Sequence, residues 1–209
     1  MSDLGPAEAT ALLSARDPVI GRLSLIHGPC EIGSGNPAGH FAGLARAVVF
    51  QQLNGRAAGS IYDRMVGITG DPLTPAGLLA TGETALRSAG LSAAKAATLL
   101  GLAGKIELGE LGLSELAQLS DEEVVERLAA LRGIGRWTAE MFLIFELGRL
   151  DVWPIGDYGV RRGYALAYGH TEIPSPKELA VLGADFSPFR TVAAWYCWRA
   201  ASAPPPVSG

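Results

Sequence analysis

The sequence predicts an all-α fold of about ten short helices joined by tight turns. Ala, Leu and Gly dominate the chain, and 48% of its residues are hydrophobic, a proportion typical of globular proteins. β-branched residues rarely form the alternating runs that build strands. Apolar residues instead recur at helical spacing, as they do between Phe41 and Val49. No internal repeat is visible, and any strand would be marginal.

Helix start signals divide the N-terminal half of the chain. Predicted helices run from Asp3 to Ala15, from Phe41 to Phe50, onward from Asn54 as an N-cap, and onward from the Thr74-Pro75 pair. The stretch from Gly28 to Gly39 is dense in Gly, Pro, Ser and Asn, and this composition predicts a loop.

The C-terminal half alternates caps with apolar stretches in the same way. Predicted helices run from Ser92 to about Lys105, onward from Ser114, from Ser120 to about Leu131, onward from Gly135 or Arg136, from Tyr158 to Ala167, and from Pro188 to Ser202. The stretch from Trp137 to Leu147 is strongly apolar. Ser120 and Glu123 have the spacing of a capping box. The proline-rich tail after Ala203 is expected to end the ordered structure.

Composition excludes several classes of protein. No apolar run reaches the ~18 residues of a membrane span, and the N-terminus lacks a secretory signal pattern. Cys30 and Cys197 are too few for a disulfide framework or an all-cysteine iron–sulfur cluster. The three histidines are too scattered for zinc-ligand spacing, so no catalytic metal is expected. The simplest interpretation is a monomer without a membrane partner, in the cytoplasm or nucleoid of a bacterium.

The net charge of −4 is not that of a protein that grips nucleic acid non-specifically. A DNA-binding chain of this charge would need backbone donors and a few well-placed arginines. The 14 arginines and 3 lysines fit that need, because Arg suits bidentate phosphate contacts. A GC-rich genome that favours Arg codons explains the same bias equally well.

The stretch from Leu131 to Ala139 is the most informative in the chain. Gly133 and Gly135 flank Ile134, which can plug between a helix that ends near Leu131 and the next helix. The second helix would present its first amide N–H groups to an anion such as a DNA phosphate. Backbone amides need no basic surface, so this pattern reconciles DNA binding with the net charge. The alternative is an ordinary helical corner closed by a glycine cap.

Residues 131–139, two predicted helices joined by a tight turn, are here named the hairpin. A second motif follows the hairpin, and together the two resemble a known family. Asp151-Val-Trp-Pro-Ile-Gly-Asp157 is a loop with Pro and Gly that ends in an aspartate. The combination is similar to the helix-hairpin-helix (HhH-GPD) DNA glycosylases, and most similar to their AlkA-like, 3-methyladenine branch. Further similar segments are Gln51-Gln52-Leu53, Gly90 to Ala96, and Pro188 to Trp198, so the resemblance spans about residues 41–199.

The resemblance implies two helical lobes with the active-site cleft between them. Residues 1–38 and 150–209 would form one lobe. Residues 39–149 would form the other, with the hairpin at 131–139. The chain has no room for the N-terminal β-domain of the larger AlkA enzymes, so it resembles the short form. The implied partner is double-stranded DNA that contains damaged bases.

The resemblance selects Asp157 as the catalytic residue. Breaking an N-glycosidic bond builds positive charge on the sugar, which a carboxylate stabilises while it orients or deprotonates the attacking water. Without the hairpin, an aspartate at this place would more simply be a helix cap. Asp151 is the rival carboxylate, but it lies earlier in the loop.

Strand-cutting members of the family place a nucleophilic lysine in the second hairpin helix. Trp137 occupies the matching position here, so Schiff-base chemistry is not expected. The implied enzyme is monofunctional: it removes a base of the 3-methyladenine or 7-methylguanine type and has no abasic-site lyase activity.

Aromatic side chains are expected to bind the extruded base. Trp198 resembles the base-stacking tryptophan of the family, and Trp137 is expected to face the same cleft. An aromatic cage would attract a cationic alkylbase. The wider set of candidate pocket residues is Phe41, Trp137, Trp153, Tyr158 and Trp198. For each of them, packing in the core is the alternative.

DNA contacts are expected at the hairpin and at the turn that follows the apolar helix 41–50. Leu53 resembles the residue that fills the gap left by the flipped base, and Gln52 would probe the opposite strand. A buried staple is an equally open interpretation of Leu53. The remaining candidate DNA contacts are Gly133, Gly135, Arg136, Thr138 and Arg161. Arg161, Arg162 and His170 are candidates for further phosphate contacts, but a solvated helix face explains these three residues equally well.

No cofactor is expected to be required. The hairpin of this family often holds a monovalent cation, Na⁺ or K⁺, through backbone carbonyls. The matching carbonyls belong to Ala129, Leu131 and Ile134.

Two other functions are also compatible with the sequence. One is a glycosylase for a different lesion, such as uracil or an oxidised purine, although the missing cluster cysteines and the missing lysine disfavour the usual forms. The other is a hairpin module that binds DNA without catalysis, which Asp157 and the aromatic residues argue against.

Overall fold

The protein is entirely helical in the part of the chain that its computed structural model describes, residues 4–33, 35, 39–53 and 55–202. The all-α prediction is therefore confirmed. The helices are α1 (Pro6–Arg16), α2 (Pro18–His27), α3 (His40–Phe50), α4 (Gly55–Thr69), α5 (Pro75–Ser88), α6 (Ala93–Glu107), α7 (Asp121–Ala129), α8 (Arg136–Phe145), α9 (Tyr158–Tyr168), α10 (Pro176–Leu182) and α11 (Arg190–Ser202), with short 3-10 helices at Ser114–Gln118 and Ala184–Phe186.

Side-chain caps place the start of several helices where the sequence predicts them. The hydroxyl of Thr74 accepts a hydrogen bond from the Gly77 N–H, and Ser92 accepts one from the Lys95 N–H. Ser120 and Glu123 form the predicted capping box at the start of α7. Each cap satisfies a first-turn N–H that has no partner within its helix.

Three expectations about helix positions need correction or fall outside the described residues. Helices α2 and α10 are absent from the sequence-based predictions, although Asp17 and Ser175 cap them with the same kind of hydrogen bond. Helix α11 begins at Arg190 rather than Pro188. Asn54, Asp3 and the tail from residue 203 lie outside the described residues.

The chain divides into two compact units. The first comprises Met1–Ile32 and Arg149–Gly209. In this unit α9 packs closely on α11, because Gly163 leaves room for the backbone of the other helix. A Cβ atom at Gly163 would lie 1.8 Å from the carbonyl oxygen of Cys197. The fully buried core includes Leu13, Ile20 and Tyr196.

The second unit comprises Gly33–Gly148 and contains α3 to α8. Helix α3 is almost wholly buried, and α8 packs against both α3 and α7. Leu44, Met65, Leu99 and Phe142 are fully buried in its core. Burial of side chains of this size stabilises the unit by about 1.5–3 kcal/mol each. In the described residues, no helix has the length and apolar character needed to cross a membrane.

Candidate active site and nucleic-acid interface

Asp157 ends the loop between α8 and α9 and caps helix α9. One carboxylate oxygen, Oδ1, accepts hydrogen bonds from the Val160 N–H at 2.8 Å and from the indole Nε1 of Trp198 at 2.9 Å. The side chain is half-buried. The cap and the catalytic interpretation of this residue are therefore compatible, because the cap fixes the carboxylate at the start of the helix.

Trp198 lies on α11 and belongs to the immediate surroundings of the Asp157 carboxylate. It is half-buried, and its indole ring lies against Gly159, where a Cβ atom would come within 2.9 Å of Cδ1. The sequence predicts only a stacking role for Trp198 and not its hydrogen bond to Asp157. That bond joins residues that are far apart in sequence, so no local pattern could have revealed it.

Asp151 anchors the other end of the same loop. Its Oδ1 accepts a hydrogen bond from Arg190 Nε at 2.8 Å, and its Oδ2 accepts one from Arg190 Nη2 at 2.9 Å. The Ser187 hydroxyl also donates to Oδ2, at 3.0 Å. Burial raises the pKa of Asp151, but these hydrogen bonds outweigh burial and hold the pKa below its ordinary value. Asp151 is thus a structural anchor.

Thr191 also holds the backbone on either side of Asp151. The sequence does not predict this role of Thr191. The side chain is fully buried. Its hydroxyl donates to the Arg149 carbonyl at 2.7 Å and accepts from the Val152 N–H at 2.9 Å. The loop that carries Asp157 is therefore fastened to the start of α11, the helix that also carries Trp198.

Two further pocket candidates lie in this unit in contrasting surroundings. Trp153 is buried, with its indole N–H donated to the Leu179 carbonyl at 2.8 Å and its ring edge against Phe186. These contacts are those of a core residue. Tyr158 lies in the first turn of α9 and is 63% exposed.

The candidate aromatics of the second unit also differ in exposure. Phe41 is buried in the first turn of α3, where it contributes to the core. Trp137 is the second residue of α8 and is half-buried.

The hairpin loop, residues 130–135, joins α7 to α8 as the sequence predicts. Gly133 has φ +82°, and a Cβ atom there would lie 1.9 Å from Oγ1 of Thr98, so only glycine fits. Ile134 is buried, and its N–H donates to the Leu131 carbonyl at 3.1 Å. Gly135 is the N-cap of α8. The first N–H groups of α8 follow at once, which is the arrangement that binds anions.

The two arginines predicted to contact DNA, Arg136 and Arg161, both have partners within the protein. Arg136 forms an ion pair with Glu122 and lies 3.7 Å from the buried carboxylate of Glu140. Arg161 donates its Nε to the Pro174 carbonyl at 2.6 Å. A phosphate would have to share these guanidinium groups with their present partners.

The turn from Gln51 to Leu53, here named the wedge turn, follows α3 directly. Gln52 has φ +55° and is exposed, and Leu53 is 41% exposed, which argues against the buried-staple interpretation. The side chain of Gln51 donates to the Gly133 carbonyl at 3.0 Å and to Oγ1 of Thr138 at 2.9 Å. This link between the wedge turn and the hairpin is not predicted by the sequence, because it joins residues far apart in the chain.

The predicted cation site consists of carbonyl oxygens, which are hard ligands suited to Na⁺ or K⁺. The Leu131 carbonyl accepts the Ile134 N–H and retains a second lone pair. No group of three or more His, Cys, Asp or Glu suited to a metal occurs in the described part of the chain. The monovalent cation stays a prediction.

Comparisons with known proteins agree on one family. A model of the HhH-GPD superfamily of base excision DNA repair proteins matches residues 45–186. The chain is 40% identical over 159 residues to DNA-3-methyladenine glycosylase 1 of Schizosaccharomyces pombe, a match that covers 75% of this chain and 70% of the relative.

Solved structures give the same result. The chain is similar to 3-methyladenine DNA glycosylase of Schizosaccharomyces pombe in complex with abasic DNA, with a TM-score of 0.84, 34% identity, and coverage of 92% of this chain and 95% of the other. It is also similar to DNA-3-methyladenine glycosidase of Bacillus halodurans, with a TM-score of 0.75, 36% identity, and coverage of 93% and 89%.

Proposed function

The chain belongs to the HhH-GPD superfamily of base excision DNA repair proteins, and we propose that it is a monofunctional DNA glycosylase for alkylated bases. Its substrates are bases of the 3-methyladenine and 7-methylguanine type in double-stranded DNA. The position of Asp157 carries this proposal, since a carboxylate is held by a backbone N–H and an indole N–H at the start of α9.

The reaction needs a negative charge beside the sugar and little else from the protein. As the bond between C1′ and the base nitrogen breaks, its electron pair leaves with the base, and positive charge develops on the sugar. The Asp157 carboxylate stabilises that charge. A water molecule adds to C1′ and gives up a proton, for which Asp157 is the nearby acceptor. Bases alkylated at N3 or N7 are already cationic, so they leave without a strong general acid.

Two parts of the second unit serve recognition in this proposal. The hairpin amides at the start of α8 bind a phosphate, which an acidic protein achieves without a basic surface. The exposed tip of the wedge turn enters the base stack when the damaged base rotates out. Trp137, placed where a lyase would carry lysine, leaves the enzyme without a Schiff-base nucleophile.

The test is release of free base from duplexes that each contain one lesion. We expect release of 3-methyladenine and 7-methylguanine, with an intact abasic strand as the other product. Borohydride treatment during turnover should trap no covalent protein–DNA adduct, since no imine forms. Failure to release any alkylated base would overturn the proposal, and a trapped adduct would overturn its monofunctional part.

The proposal also bears on cellular location and assembly. We further propose that the protein is a monomer and that it acts in the compartment that holds its DNA substrate, the cytoplasm or nucleoid of a bacterium. Gel filtration with light scattering, in the presence and absence of a lesion-containing duplex, measures the assembly state, and a stable dimer would contradict a monomer.

A further inference from the structure

The wedge turn is held by a lysine from a different helix. Lys95 is the third residue of α6, and its Nζ donates to the Val49 carbonyl at 2.7 Å and to the Gln51 carbonyl at 2.8 Å. These carbonyls belong to the last turn of α3 and to its C-cap. A cation there satisfies carbonyls that have no partner within the helix and faces the negative end of the helix dipole.

Local energetics disfavour a lysine at this position. A positive charge in the first turn of α6 faces the positive end of that helix's own dipole. Lys95 is also half-buried, and burial lowers the pKa of its ammonium group. The favourable contribution of Lys95 therefore comes from its long-range contacts with the wedge turn.

Gln51 supplies a second link, from the wedge turn to the hairpin. Its backbone carbonyl is held by Lys95, while its side-chain amide donates to Gly133 and Thr138. The next residue, Gln52, is the one non-glycine residue with positive φ in the described part of the chain. The wedge turn is thus held to α6 through the backbone of Gln51 and to the hairpin through the side chain of Gln51. The tip of the turn, Gln52 and Leu53, is exposed.

The hairpin rests on the same part of α6. Thr98 follows Lys95 by one helical turn, so both residues lie on one face of the helix. Gly133 of the hairpin loop packs directly on the Thr98 side chain. One helical face therefore supports the wedge turn through Lys95 and the hairpin through Thr98.

We propose that Lys95 and Gln51 are positioning residues that fix the wedge tip at a set distance from the hairpin amides, so that phosphate binding at the hairpin drives insertion of the tip into the base stack. This inference rests on the proposed glycosylase function. Neither residue touches the reacting atoms; both act on the step that extrudes the base.

Lys95→Met tests the proposal, because Met keeps the length of the side chain and removes its donors. Single-turnover base release is measured on one lesion in two contexts, paired in a duplex and unpaired in a single strand. We expect release from the paired lesion to slow by about tenfold or more, from loss of a charged hydrogen bond. Release from the unpaired lesion should change little, since no base must be extruded.

Lys105→Met is the matched control. Lys105 lies on the same helix, but it is exposed and pairs with Glu110 at 2.8 Å. Its loss should leave both rates unchanged. Gln51→Leu is a second variant that keeps Lys95 in place and should show the same selective slowing. Slowing of both substrates by the same factor, or of neither, would overturn the proposal.

Failure of the proposed function gives a different result. If the wild-type protein releases base from neither substrate, the glycosylase assignment fails. Wedge insertion is then measured by the fluorescence of 2-aminopurine placed opposite an abasic site. Lys95→Met and Gln51→Leu should reduce the fluorescence change caused by bound protein, whereas Lys105→Met should not. An unchanged signal in all three variants would contradict the positioning role.

Discussion

The Asp157 carboxylate is oriented by two donors that reach the same oxygen. The Val160 N–H fixes it to the first turn of α9, and the Trp198 indole fixes it to α11. Hydrogen bonds to an ionised acceptor are shorter and stronger than neutral ones. The carboxylate is thus held in place without a bound substrate, which would favour electrostatic stabilisation of the transition state in the proposed reaction.

Trp198→Phe separates the two roles that this tryptophan could have. The variant keeps an aromatic face and loses the N–H donor to Asp157. We expect kcat for base release to fall by about tenfold, the cost of one hydrogen bond to a charged group, with KM little changed. A raised KM with unchanged kcat would instead indicate that Trp198 acts by stacking on the base.

Asp151→Asn tests the anchor of the active-site loop. The pKa of Asp151 is lowered in the folded protein, so its carboxylate stabilises the fold above the unfolded-state pKa of about 4 and loses this effect as pH falls through the lower folded-state pKa. We expect the variant to lose about 1 kcal/mol of unfolding free energy at pH 7. Urea denaturation at pH 7 and near pH 3 measures the difference, which should shrink in acid. A constant difference would contradict the ionic role.

Helices α9 and α11 place the site because their backbones approach each other closely at Gly163. Asp157 caps one helix, and Trp198 projects from the other, so the crossing determines how the two side chains meet. The loop between Asp151 and Asp157 is fastened to the same pair of helices through Arg190 and Thr191.

Gly163→Ala should disturb this crossing. The added methyl would meet the Cys197 backbone, and overpacking of this kind costs about 1–3 kcal/mol. Gly101→Ala is the control, because Gly101 lies within α6 with open space around its Cα and should gain slightly in stability. Thermal unfolding of both variants tests this, and a Gly163→Ala protein as stable as the wild type would contradict the close packing.

Local signals predicted most of the helices, because a cap and its N–H lie only a few residues apart. Thr74, Ser92 and Ser120 are examples. Helix α2 carried a comparable signal in Asp17-Pro18, which sequence analysis missed. The hairpin and the family resemblance followed from motifs and are confirmed. The contacts of Trp198 with Asp157, and of Lys95 with the wedge turn, join distant segments, so their geometry exists only after packing.

At the scale of the whole molecule, charge constrains how this protein can hold DNA. The net charge is −4, and the candidate arginines Arg136 and Arg161 already have partners within the protein. Backbone amides at a helix N-terminus bind phosphate without releasing many counterions. The acidic composition and the hairpin are therefore consistent with the same binding mode.

This binding mode predicts a weak dependence of DNA affinity on salt. Log K falls linearly as log salt rises, and each phosphate neutralised by a cationic side chain makes this slope more negative by about 0.9. We therefore expect a slope no steeper than about −3. Fluorescence anisotropy with a labelled duplex, from low to physiological salt, measures it. A steep slope, as found for strongly basic DNA-binding proteins, would show that side-chain cations dominate instead.

In the proposed reaction, Asp157 provides the chemistry while the rest of the protein presents the damaged base to it. The direct test is single-turnover release of 7-methylguanine from a duplex by Asp157→Asn, with duplex affinity measured in parallel. Asp185→Asn serves as the control, since Asp185 is exposed on the 3-10 helix Ala184–Phe186. We predict wild-type affinity with base release lowered by about a hundredfold or more in Asp157→Asn, and no change in the control. Base release at the wild-type rate by Asp157→Asn would contradict a catalytic role of Asp157.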